Sequence, residues 1–205
     1  SAASDVYKRQ SEGEPLEAKV QIFNGIPKLC INGTPITSVA FFGNMDYGTN
    51  VTEQVELAAD NDIHLHSTIA YIGNPGNSMT SVTSRLDAII KGDPEAKIIL
   101  RIDVGYYDSK DGWEDEFEKK TNGENTRYIS FGSDRWAEEV QIRLKEIVDY
   151  LRSDPKYADH VAVIHLDRYE WRWGAEPDIS QANQNKFREW LKEKYGTDEE
   201  LMNAW

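Results

Sequence analysis

Val161-Ala162-Val163-Ile164-His165-Leu166-Asp167-Arg168-Tyr169-Glu170-Trp171-Arg172-Trp173 is the stretch on which the fold turns. It opens as a continuous apolar run, the pattern of a strand buried on both faces of a parallel sheet. It then changes abruptly into carboxylates, arginines and aromatic rings. A buried strand that ends in acids and aromatics is how an α/β barrel sets chemistry at the C-terminal rim of its sheet.

Upstream, three more strand patterns alternate with helical ones. Val39-Ala40-Phe41-Phe42-Gly43 predicts a buried strand, and Asn50 with Glu53 three residues on forms a capping-box pattern. Val51, Val55, Ala58 and Ala59 then make an apolar stripe. Residues 63–71 alternate as a second strand, and Val82, Leu86, Ile89 and Ile90 fall at helical spacing until Gly92-Asp93-Pro94. Ile98-Ile99-Leu100-Arg101-Ile102-Asp103-Val104 is the third strand. A polar, aromatic-dotted loop over 105–132 exceeds the usual 2–6 residues, so it is expected to be functional or disordered.

Ser133 opens an amphipathic helix with Trp136, Val140, Leu144, Ile147, Val148 and Leu151 inward, and Asp154-Pro155 stops it. After the opening stretch, 178–195 predicts a helix with Phe187, Trp190, Leu191 and Tyr195 on one face and Gly196 at its C′ position. Thr197 and Glu200 form a further capping box before a last short helix.

Strand–helix alternation implies a parallel sheet with right-handed crossovers, either half of a (β/α)₈ barrel or a doubly wound sheet. No Gly-x-Gly-x-x-Gly or Walker pattern follows the first strands, which removes the nucleotide rationale for a doubly wound fold. Acids and aromatics gather after every strand instead. The expected fold class is therefore α/β, the N-terminal half of a (β/α)₈ TIM barrel with strands one to four, preceded by a small β-hairpin. Asn24-Gly25 and Asn32-Gly33 supply the turn signals of that hairpin. The expected divisions are 1–17 as a disordered or artificial segment, 18–36 as the hairpin, and 37–205 as a partial barrel catalytic domain. SAASDVYKRQ at the start reads as adapter-derived sequence, and the chain stops within a helical pattern, so a longer parent protein is expected.

The formal net charge of -13 disfavours nucleic acid and anionic membrane as partners, since both call for basic surface. No apolar run approaches the ~20 residues of a membrane span. A single cysteine, Cys30, allows neither an internal disulfide nor a cysteine zinc site.

The strand ends carry Asn44, Asp46, Tyr71, Arg101, Asp103, Tyr106, Asp167, Glu170, Trp171 and Trp173. Sugar hydroxyls want carboxylate, amide and guanidinium partners, and the apolar face of a pyranose stacks on flat rings. The expected partner is thus an oligo- or polysaccharide; oligomeric state is left open. Glycoside cleavage needs a carboxylic acid to protonate the leaving oxygen and a second carboxylate as nucleophile or base. Glu170 is the candidate acid, because Tyr169 and Trp171 beside it can desolvate it, and Asp167 is the second catalytic candidate. Arg101, Asp103, Asn44, Asp46, Tyr71, Tyr106, Trp171 and Trp173 are the candidate substrate-binding residues. With 36 acidic residues in the chain, a given one is more often surface charge than catalyst.

No cofactor and no metal ligand is expected. His64 and His66 share one face of the second strand, a spacing some metal-dependent hydrolases use, but at the end away from a barrel active site. Two other readings stay open: a carbohydrate-binding barrel without catalysis, and a metal-dependent hydrolase barrel on those histidines.

Pro177-Asp178-Ile179-Ser180, Phe187-Arg188-Glu189-Trp190-Leu191-Lys192-Glu193-Lys194-Tyr195-Gly196-Thr197 and Leu201-Met202-Asn203-Ala204-Trp205 resemble the fourth βα unit of the β-galactosidase-like glycoside hydrolases of family 42. Ile99-Leu100-Arg101-Ile102 is similar to their third strand, and Ile31-Asn32-Gly33-Thr34-Pro35-Ile36 to the turn before strand one. The resemblance implies a (β/α)₈ barrel and a retaining mechanism, with the acid/base at the end of strand four and the nucleophile at the end of strand seven. In that family the acid is a Glu preceded by Asn; here Glu170 follows Tyr169.

Overall fold

The computed structural model describes residues 16–37, 39–42, 50–72, 78–104, 112–167 and 177–205. The chain divides into two compact units, one of residues 1–103 and 146–167, the other of 104–145 and 168–205.

The first unit begins with an antiparallel sheet of β1 (Ala18–Phe23), β2 (Ile26–Ile31) and β3 (Thr34–Pro35) in the order β1-β2-β3. Both connections are Asn-Gly pairs with positive φ throughout: Asn24 at 52° and Gly25 at 79°, Asn32 at 48° and Gly33 at 79°. Two successive left-handed residues give the type I′ turn, whose twist matches that of the strands it joins. Cys30 and Ile31 are its buried residues.

The rest of that unit is a parallel sheet of β4 (Ala40–Phe42), β5 (Leu65–Tyr71), β6 (Lys97–Asp103) and β9 (Val161–Asp167), hydrogen-bonded in that order. Helices α1 (Val51–Ala59) and α2 (Ser78–Gly92) connect the first three strands. Asn50 caps α1 by accepting the Glu53 N–H at 3.3 Å. Spatial order equals chain order, with no reversal. The described strands therefore contain no topological switch point, the feature at which doubly wound sheets bind nucleotides.

Ile98, Leu100 and Ile102 of β6 and His66, Thr68 and Ala70 of β5 are all 0% exposed and alternate with residues of the other face. Val82, Leu86 and Ile89 at i, i+4 and i+7 of α2 are likewise fully buried, as is Val55 of α1. Each such aliphatic side chain contributes about 1.5–3 kcal/mol by leaving water. Tyr157, in the short helix α4 (Pro155–Ala158), donates its hydroxyl to Asp87 of α2 at 2.8 Å. The first strand departs from expectation. Val39 is 54% and Phe42 60% exposed, because β4 is an edge strand paired over only three residues.

In the second unit, the sequence predicts a long loop, functional or disordered, over 105–132; its described part, from residue 112 on, contains a 3₁₀ turn at Glu114–Glu116 and an antiparallel pair, β7 (Phe117–Lys119) and β8 (Asn125–Ile129). Trp113, Phe117 and Ile129 form a small core of their own, with Trp136 packed against it. The indole of Trp136 also donates to the Val104 carbonyl at 2.9 Å. Trp136 lies in α3 (Asp134–Ser153), whose first turn is capped by Ser133 accepting the Trp136 N–H at 3.0 Å.

Helices α5 (Gln181–Tyr195) and α6 (Asp198–Ala204) complete that unit. Helix α5 starts at Gln181 rather than at 178, with Ser180 as its N-cap, and Thr197 caps α6 by accepting the Glu200 N–H at 3.1 Å. Phe187, Trp190 and Tyr195 do share a side of α5, where Phe187 and Trp190 stack at 5.8 Å and Trp190 meets Tyr195 edge-on at 6.5 Å. That side is not buried: Phe187 is 51% and Trp190 46% exposed. Among the described residues no helix is long and apolar enough to cross a membrane.

Candidate active site

The strand register sets three of the candidate residues in one row. Tyr71 ends β5, Asp103 ends β6 and Asp167 ends β9, and the pairing runs Tyr71↔Asp103↔Asp167. In a parallel sheet, paired positions direct their side chains to the same face, so Tyr71 and Asp103 share one face of the C-terminal edge, with the Asp167 backbone in register beside them. Tyr71 is 37% exposed there, with the Arg85 guanidinium 6.0 Å from its ring centroid.

One pleat down, the row is Ile69↔Arg101↔His165. Arg101 is only 7% exposed. Its Nε donates to Ser67 Oγ at 3.2 Å, and its guanidinium carbon lies 4.2 Å from the ring centroid of Phe42. A cation this buried needs hydrogen bonds and a polarisable surface to replace its water, and Ser67 and Phe42 supply part of both. Arg101 thus stands directly beneath the rim row, anchored across β5 to β4. Neither Ser67 nor Phe42 stood out in the sequence, since their link to Arg101 exists only once the strands are in register. Glu170, Trp171, Trp173, Asn44, Asp46 and Tyr106 lie outside the described residues.

His64 and His66 share one partner, Asp93. The His64 Nδ1 lies 3.0 Å and the His66 Nε2 2.8 Å from Asp93 Oδ2, so both rings converge on one carboxylate that is 2% exposed. Among the described residues no group of three or more His, Cys, Asp or Glu is placed to hold a metal ion. Burial alone would raise the Asp93 pKa. The hydrogen bonds from His66, His64 and the Glu95 N–H outweigh it and hold the carboxyl below its ordinary value of 3.8. The sequence showed Asp93 only as a helix stop, because its partners are 27 and 29 residues away.

In the second unit, Pro177-Asp178-Ile179-Ser180 proves to be a structural knot. Asp178 Oδ1 accepts the N–H groups of Lys119 at 3.1 Å and Ser180 at 2.8 Å, and Oδ2 accepts the Ser130 hydroxyl at 2.6 Å. Ser180 Oγ donates to Ser130 Oγ at 3.1 Å while accepting the Asn183 N–H at 3.2 Å as cap of α5. The Ile179 N–H donates to the Lys119 carbonyl at 3.0 Å. Gly132 lies so close to α5 that a Cβ there would stand 2.4 Å from Asn183 Cα. One carboxylate and two hydroxyls therefore fix the β7–β8 pair to the start of α5.

A search of curated proteins finds no match for the chain. Residues 114–205 do match the sequence model of glycoside hydrolase family 42, described as beta-galactosidase. The matched part takes in the Asp178 knot, β9, and the α5–α6 tail, and leaves out Ile99-Leu100-Arg101-Ile102 and the Asn32-Gly33 turn. Over those residues, a little under half of its length, this chain is similar to the beta-galactosidases of family 42, which supports a kinship with glycoside hydrolases.

Proposed function

We propose that residues 37–205 are the first four βα units of a (β/α)₈ barrel in a retaining glycoside hydrolase that acts on β-linked sugars. The observation that carries this reading is the family match over 114–205, which spans β9 and the acid- and aromatic-rich residues that follow it. The unreversed strand order and the rim row of Tyr71, Asp103 and Asp167 support it.

In this reading Glu170 protonates the glycosidic oxygen as the bond to the anomeric carbon breaks, then removes a proton from the incoming water. Tyr169 and Trp171 beside it lower its hydration and so favour the protonated acid. Asp167 is the neighbouring carboxylate at the end of β9. Arg101, Asp103, Tyr71, Asn44, Asp46 and Tyr106 bind hydroxyls, while Trp171 and Trp173 stack on the sugar faces. The nucleophilic carboxylate belongs to a later strand, and among the described residues nothing pairs with the outer edges of β4 and β9, where further βα units would add. Hydrolysis of aryl β-galactosides and β-glucosides by protein with the barrel complete tests the proposal. Turnover that Glu170→Gln reduces by about 10²–10⁴ is expected, and undiminished turnover would remove Glu170 from its role.

A second reading rests on Tyr169, which stands where the family has Asn before the acid. In a carbohydrate-binding barrel without catalysis, the same protein binds β-galactosides and releases no aglycone.

A further inference from the structure

The end of the parallel sheet opposite the rim carries a cluster of ionisable groups that the proposed reaction does not use. Asp93, in the turn between α2 and β6, receives His64 just before β5, His66 within β5, and the Glu95 N–H from its own turn at 2.9 Å. His66 Nδ1 is buried with no hydrogen-bond partner among the described residues, which leaves Nε2 as the protonated nitrogen that Asp93 accepts. Lys97, at the start of β6 and 4% exposed, donates to the Asp159 carbonyl at 2.8 Å. His160, in the turn between α4 and β9, donates from Nδ1 to the Ala96 carbonyl at 2.8 Å. Two backbone bonds of 2.8 Å run through the same place, Lys97 N–H to the His64 carbonyl and Ile98 N–H to the His160 carbonyl.

These links tie three strand–helix units together at one end of the sheet. Asp93 faces His64 from the residue before β5, His66 from β5, Glu95 from its own turn and Lys97 from β6, and it acts on His160 at longer range. Around neutrality the Asp93 carboxylate offsets the Lys97 ammonium, and His160 contributes no net charge. Two protonation events work against that balance. A proton on His160 adds a second cation beside Lys97, and a proton on Asp93 removes the anion and one of its acceptor positions. Either event leaves like charge or unpaired donors in a place nearly closed to water.

We propose that this cluster is an acid-operated latch, holding the α2–β6 and α4–β9 turns to the starts of β5, β6 and β9 at neutral pH and releasing them as the pH falls. Burial depresses His160 below its ordinary 6.5 and outweighs the hydrogen bond to the Ala96 carbonyl, which raises it; Lys97 lowers it further, while Asp159 and Asp93 raise it by lesser amounts. The unfolded chain therefore takes up its proton first as pH drops below 6.5, and stability is lost from that point downward. Asp93 follows below 3.8.

Amide hydrogen exchange on the intact chain, corrected for intrinsic rates, reads the latch directly. Between neutral pH and about pH 5, protection of the Lys97 and Ile98 amides should fall about tenfold more than that of Leu100 and Ile102. In His160→Gln this extra loss should disappear. A uniform loss along β6, no loss, or an unchanged response in His160→Gln would overturn the latch. If that variant does not fold, an imidazole NMR titration of the wild-type chain decides: a His160 midpoint below 6.5 supports it and one at or above 6.5 overturns it.

Discussion

Arg101 on β6 holds its guanidinium carbon 4.2 Å from the ring centroid of Phe42, on a strand two positions away in the sheet. This contact, with the Ser67 hydrogen bond between them, crosses the face of the sheet below Tyr71 and Asp103. An exposed phenylalanine on an edge strand is thereby tied to a buried cation. Phe42→Ala should cost about 0.5–2 kcal/mol in urea unfolding. Arg101→Lys should be no milder, because an ammonium cannot lie flat on the ring and donate to Ser67 with the same fork. Full stability in Arg101→Lys would show that the planar geometry is immaterial.

The Asp178 knot predicts that the resembling motif is structural as well as diagnostic. Asp178→Ala strands the Lys119 N–H, the Ser180 N–H and the Ser130 hydroxyl, at about 1–3 kcal/mol for each donor left unpaired and buried. Gly132→Ala should lose at least about 1–3 kcal/mol, since its Cβ meets backbone that cannot rotate away. Denaturant midpoints of the single variants, and of Asp178→Ala with Ser130→Ala, check both claims. Strict additivity in the double variant would mean that the two residues do not act as a unit.

Asp93 gives the acid side of the stability curve. Its folded pKa is below 3.8, so its contribution is complete above that pH and is lost as pH falls through the lowered value. Asp93→Asn should therefore destabilise most at neutral pH, and the gap to wild type should close below 3.8. Urea unfolding across that range measures it; a gap that stays constant with pH would mean that Asp93 carries no charge-dependent share.

Much of the frame was legible in the chain because its signals are local. Asn24-Gly25 and Asn32-Gly33 announce left-handed turns, and Asn50, Ser133 and Thr197 cap the helices they precede. Apolar runs located the four parallel strands to within two or three residues. What stayed hidden depends on partners distant in sequence. The core of Trp113, Phe117 and Ile129 is spread over a polar segment with no period, so β7 and β8 did not stand out. Helical spacing placed Phe187, Trp190 and Tyr195 on one side of α5 but carries no information on whether anything covers them. Of the candidate site, the register resolves Tyr71, Asp103 and the backbone of Asp167 into one row and shows Arg101 beneath it. Asp178 changed character, from the first turn of a helix to the residue that secures it.

Glu170, proposed as the general acid/base of a retaining glycoside hydrolase, is probed most directly by comparing wild type and Glu170→Gln, with the barrel complete, on aryl β-galactosides of poor and good leaving group. The proposal predicts a loss of about 10²–10⁴ with the poor leaving group, a much smaller loss when the leaving group needs no proton, and disappearance of the basic limb of the pH–rate profile. Equal losses on both substrates with an unmoved basic limb would contradict it.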